Sequence, residues 1–173
     1  MYFRTDEPPA NAQTRSPFGI AVAIPAAAGI TLVAVLEAIA LVVSAIAAAY
    51  VLIRAYEAAQ ARGFGVALAQ RALTAGLGVL ITGAVKVMGM LNYFLQKARR
   101  LTDPPPDCAA AIAAVLQTFL QLGQTLSELR TEVQREIPQI PKIRMLMDRL
   151  RSIVSRAGAE LGTMLRVCKP LPN

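Results

Sequence analysis

Between Phe18 and Ile53 the chain carries a single charged residue, Glu37, and between Ala72 and Leu95 it again carries a single one, Lys86. Each run exceeds the roughly 20 apolar residues that a helix needs to cross a bilayer. Neither run alternates as a half-buried strand does, so the pattern predicts two membrane-spanning helices. Composition points the same way: 55% of residues are hydrophobic, mostly Ala, Leu, Val and Ile, with no Trp. Such a mixture favours helices over strands and lies above the globular range. The first apolar run is too long for a signal-peptide core and follows a net-neutral segment with Arg4, Asp6, Glu7 and Arg15, so no cleavage is expected.

Pro25 suits the first turn of the first helix, which good helix formers extend to about Arg62. Gly63 and Gly65 then supply a turn, with Arg54 and Arg71 placed symmetrically about it and Tyr50, Tyr56 and Tyr93 expected at the membrane interfaces. Ala34, Ala38, Ala45 and Ala49 on one helix, with Ala72, Gly76 and Gly83 on the other, allow close backbone approach. Folding the two helices about the turn places Lys86 opposite Ile39 and Glu37 opposite Met88, an axial offset of about 3 Å. Glu37 and Lys86 are therefore expected to form an ion pair, either structural and near one interface or lining a pore or bridging subunits.

Thr102-Asp103-Pro104-Pro105-Pro106-Asp107 ends the apolar half and offers Asp107 as N-cap for a helix from Cys108. Along that helix Ile112, Val115, Phe119, Leu122, Leu126, Leu129 and Val133 recur in alternating steps of three and four, a heptad seam. Pro138-Gln139-Ile140-Pro141 stops it and starts a second helix. There Ile143, Met147, Leu150, Val154, Ala157, Leu161, Met164 and Cys168 repeat the seam, and Pro170 ends it.

Antiparallel folding pairs every seam residue: Val133 with Ile143, Leu126 with Leu150, Phe119 with Ala157 and Val115 with Leu161. The same register pairs Cys108 with Cys168. The expectation is a disulfide, which would put the coiled coil on the oxidising, periplasmic or extracellular side; two buried thiols are the alternative. Basic residues flank the apolar helices almost evenly at both ends, so the positive-inside rule leans only weakly, and against export of the coiled coil, and the paired cysteines slightly outweigh it.

Most of the formal charge of +7 falls after Pro138, with Lys142, Arg149 and Arg156 on one stripe and Arg144 and Arg151 on another. These side chains form either a solvated face or a surface for anionic headgroups or an acidic partner. Without interleaved aromatic residues, nucleic acid is disfavoured. Leu116, Leu120, Ile137, Leu146, Ile153 and Leu165 lie outside the seam and need cover by further helices, either extensions of the membrane helices or, as the preferred expectation, neighbouring subunits.

There is no His, the two cysteines are far apart in sequence, and no phosphate-binding or nucleophile-elbow pattern occurs. No catalytic residue, metal site or cofactor is expected. The expected fold is all-α: a flexible arm over 1–17, an apolar transmembrane helical hairpin over 18–100 with its turn near 63–65, and a Pro-rich linker over 101–107. An antiparallel coiled-coil helical hairpin follows over 108–169, with its turn at 138–141, and then a tail over 170–173. The functional expectation is a non-enzymatic integral membrane protein, self-associating or joined to other subunits as a structural or conduit-forming part of a secretion, conjugation or phage DNA-delivery assembly. The alternatives are a holin-like permeabilising effector and a membrane-anchored coiled-coil adaptor.

Overall fold

The computed structural model describes residues 13–15, 21–23 and 29–169. Four long helices make up most of it: α1 (Leu32–Arg62), α2 (Val66–Ala98), α3 (Pro106–Val133) and α4 (Ile140–Val167). The strands among the described residues are two of three residues each, β1 (Gln13–Arg15) and β2 (Ala21–Ala23), paired antiparallel, with β2 beside α2. Most of the arm over 1–17, Pro25 and the tail from Pro170 lie outside the described residues.

The first helix begins later than the position of Pro25 suggests. Thr31 is extended, and its hydroxyl accepts a hydrogen bond from the Ala34 amide at 3.1 Å, which satisfies one of the orphan donors at the helix start. Gly63 closes α1 in the left-handed region at φ 80°, and its N–H reaches the carbonyl oxygens of Ala59 and Gln60. Gly65, at φ 75°, opens α2. Side chains rarely adopt two such conformations so close together, which is why this turn is built on glycine.

Helix α3 starts at Pro106, so Asp107 lies in its first turn instead of capping it, where its charge suits the helix dipole. Pro141 sits in the first turn of α4, where a missing N–H costs no hydrogen bond.

Packing runs in a closed ring: α1 on α2, α2 on α3, α3 on α4, and α4 back on α1. The core is almost entirely aliphatic and continuous through all four helices. Small residues set the closest approaches. A Cβ at Gly76 would collide with Leu52, one at Gly83 would touch Val42, and one at Gly158 would lie 2.9 Å from Leu36 and 3.4 Å from Ile39. The last contact lies between α4 and α1, so the C-terminal helices lie along the apolar helices and not beyond them. Leu146, Ile153 and Leu165 are accordingly buried within one chain, a correction to the expected cover by neighbouring subunits; Leu116, Leu120 and Ile137 stay exposed. The sequence obscures this because α1 and α2 are apolar on more than one side, leaving no mark of which side is spare.

Three helices, α1, α2 and α3, are long and apolar enough to cross a membrane, one more than the two expected. Alanines on α3 raise its hydropathy without joining the seam.

Candidate functional site

Cys108 and Cys168 are joined in a disulfide at one end of the α3/α4 pair, with 4.9 Å between their Cα atoms, and both are fully buried. Other contacts between α3 and α4 keep step with it. Thr118 donates a hydrogen bond to Glu160, Arg156 donates to Gln121 at 2.6 Å, Arg149 pairs with Glu128 at 3.1 Å, and Lys142 pairs with Glu132 at 3.4 Å. Each lies within two residues of the register that brings the cysteines together.

Four of the five basic residues singled out on α4 have partners within the chain. Arg144 turns toward α1 and grips both carboxylate oxygens of Glu57, at 3.0 and 2.8 Å. That bidentate hydrogen bond is the main reason its guanidinium pKa rises above the ordinary value. Lys142, Arg149 and Arg156 are engaged as above, leaving Arg151 as the one of the five without a hydrogen bond or ion pair in the described residues. The expected patch for an anionic partner is therefore largely satisfied within the chain. The partners come from other helices: Glu57 of α1, and Glu128, Glu132 and Gln121 of α3.

Glu37 and Lys86 do not pair: both are exposed, and they are absent from the four ion pairs among the described residues. Their axial level is as expected, since Gly83 lies against Val42. Their direction is not. Buried residues on α1 centre on Val35, Val42 and Ile46, and at 3.6 residues per turn Glu37 lies about 200° round from Val35. On α2 the buried line runs through Leu73, Leu80 and Leu91, and Lys86 lies about 140° round from Leu91. Both side chains therefore leave the bundle on the outside of the α1/α2 layer. Tyr56, expected at an interface, is instead buried, with its hydroxyl accepting from the Gln60 amide at 3.2 Å. Tyr50 donates to Asp148 and ties α1 to α4.

Three buried polar residues of α3 escape a reading of the apolar seam: Thr118, Thr125 and Glu132. Their seven-residue spacing was the available signal, a polar column running beside the seam. Glu132 is 1% exposed; Arg135 at 2.9 Å and Lys142 both bind its Oε2, while Oε1 has no hydrogen-bond partner. Two half-exposed cations thus hold one buried carboxylate at the α3–α4 turn.

Beside that turn an open cleft of about 520 Å³ is lined by Glu57, Gln60, Pro138 to Pro141 and Lys142. Its ionisable groups are engaged in ion pairs, so it offers no convergent set of free acids, bases or nucleophiles. Among the described residues no three His, Cys, Asp or Glu side chains are grouped to hold a metal.

What distinguishes the bundle is its two faces. The outside of the α1/α2 layer exposes Val33, Leu41, Val51, Leu68 and Val79, broken by the lone charges. The outside of α4 exposes Asp148, Arg149, Arg151, Ser152, Ser155 and Arg156. No protein-family model, curated protein or solved structure matches the chain.

Proposed function

We propose that this chain is a non-enzymatic, structural or conduit-forming subunit of an oligomeric membrane assembly. In this reading the outside of the α1/α2 layer is turned away from water and the α3/α4 layer stays wet. The transmembrane element is the helical hairpin of α1 and α2; α3 and α4 form an antiparallel coiled-coil hairpin clipped by the disulfide, with its cysteine end on the oxidising side.

One observation carries the proposal: the contrast between the two faces. Leu41 is 67% exposed and Val79 66% exposed on one side, while the outside of α4 carries charged and hydroxyl side chains, Arg149 among them in an ion pair with Glu128 of α3. A lone copy surrounded by water would leave a large apolar face uncovered. A lone copy surrounded by lipid would strand the charges of α4. An assembly that divides the two faces between apolar surroundings and an aqueous space satisfies both.

Single cysteines introduced beside the native disulfide test this reading. In isolated membranes Arg151→Cys should react readily with a water-soluble maleimide, Leu41→Cys should resist it until detergent is added, and the extracted particle should exceed the 18.4 kDa of one chain. Equal, rapid labelling at both positions would reject the proposal. The effector reading draws support from the apolar residues exposed on the outside of the α1/α2 layer; it requires expression to collapse the membrane potential.

A further inference from the structure

We infer that the outside of the α1/α2 layer is covered by a second copy of this chain, related by a twofold axis parallel to the helices, with Glu37 of each copy against Lys86 of the other. The inference rests on the reading that this face leaves water, and it names what covers it.

The first support is direction. The side of α1 that faces α4 is identified by Ile39 at Gly158, by Tyr50 and by Glu57. The side that faces α2 is identified by Val42 at Gly83 and Leu52 at Gly76. Glu37 lies on neither; it points out of the layer, away from α3 and α4, and so does Lys86. Each charge stands alone among exposed apolar and small residues, notably Leu41, Ala48 and Val51 on α1 and Leu68, Ala75 and Val79 on α2. Lone charges on such a face are costly in lipid and call for an opposite charge.

The second support is depth. Starting from the contact of Val42 with Gly83, Glu37 is five residues along α1 and Lys86 three residues along α2, in the same axial direction because the helices are antiparallel. Their levels differ by about 3 Å.

Symmetry turns these two facts into a partner. Rotation about an axis parallel to the helices preserves depth and exchanges left for right, so a twofold axis on the outside of the layer sets α1 of one copy facing α2 of the other. Glu37 then meets Lys86 of the second copy, and the reciprocal pair forms on the other side of the axis. The face is self-complementary in charge in this arrangement. An axis perpendicular to the helices would instead change each charge's depth and set like against like or charge against aliphatic. In the paired arrangement the two α3/α4 layers face away from the axis, toward the aqueous space that the proposed assembly divides from its apolar surroundings.

The test uses the full-length protein extracted in mild detergent. Glu37→Lys and Lys86→Glu, made singly, should each at least halve the particle mass by placing like charges across the axis, and the double exchange should restore it. Two differently tagged copies, one Glu37→Cys and one Lys86→Cys, should crosslink to each other on oxidation, a contact that is intermolecular by construction. Unchanged mass in the single variants, no recovery in the double exchange, or no heterologous crosslink would each overturn the inference. In any of those cases Leu41→Cys separates the causes: resistance to water-soluble maleimide means lipid covers the face and the membrane reading survives, whereas rapid labelling means both are wrong.

Discussion

Arg144 of α4 and Glu57 of α1 are locked together by two parallel hydrogen bonds, at 3.0 and 2.8 Å. The pair joins the most polar helix to the most apolar one, close to where both chain reversals lie. Tyr50 with Asp148 makes a second polar link between the same helices. Both groups of the Arg144–Glu57 pair are about two-fifths exposed, so the contact orients α4 more than it stabilises it. Arg144→Ala and Glu57→Ala should lower the thermal midpoint slightly and by similar amounts, with the double variant no worse than either alone. The loss should shrink as salt is added. Additive effects in this double-mutant cycle would show that the two side chains act independently.

The disulfide closes a loop with a sequence separation of 60 residues. On the chain-entropy account, Cys108→Ser with Cys168→Ser should cost about 4 kcal/mol in stability, read from denaturant unfolding in detergent. Moving the bridge one heptad inward, as Val115→Cys with Leu161→Cys in the cysteine-free background, should restore a fast-migrating band on non-reducing gels. Val115→Cys with Val154→Cys should not, because those positions are about 10 Å apart along the axis. The opposite result would reject the register of α3 on α4.

Glu132 should respond asymmetrically. Its carboxylate is buried, while Arg135 and Lys142 are 43% and 41% exposed. Glu132→Met removes the buried charge and leaves two cations free to turn to water, so stability should change by less than about 1.5 kcal/mol. Arg135→Ala with Lys142→Ala strands the carboxylate and should cost about 3 to 5 kcal/mol. Equal losses in the two variants would show that the carboxylate is wetter than its burial implies.

Gly158 lies where α4 packs tightly on Leu36 and Ile39 of α1. Gly158→Leu would drive a side chain into Leu36 and Ile39, and overpacking of this kind should cost about 1 to 3 kcal/mol. Gly162→Ala, whose Cβ would lie 3.9 Å from Leu32 in ordinary contact, should be tolerated. Thermal unfolding of the two variants checks this. Similar behaviour would mean that α4 does not press on α1.

Much of the architecture was legible because helical periodicity is a local property. The pattern of Val115, Phe119, Leu122 and Leu126 against Leu150, Val154, Ala157 and Leu161 needs only the 3.5-residue repeat, and Gly63 and Gly65 need only a chain reversal. The Cys108–Cys168 bond follows from the same register. Heptad spacing also carried the buried Thr118, Thr125 and Glu132, although that column is visible only when polar residues are counted with the apolar ones.

By itself, then, the sequence determined four helices, their order, the turn residues and the depth at which Glu37 and Lys86 lie. Only the tertiary structure decided which side of α1 and α2 is covered. The runs from Leu32 to Ile53 and from Ala72 to Leu95 are apolar almost all round, so their composition is satisfied by any azimuth, and rotation about the helix axis is set by the helices packed against them. Gly158 beneath Ile39, and Arg144 against Glu57, bring α4 onto α1 and turn Glu37 outward, while α3 packed on α2 turns Lys86 outward; Glu57 of α1 and Glu128 and Glu132 of α3 engage Arg144, Arg149 and Lys142.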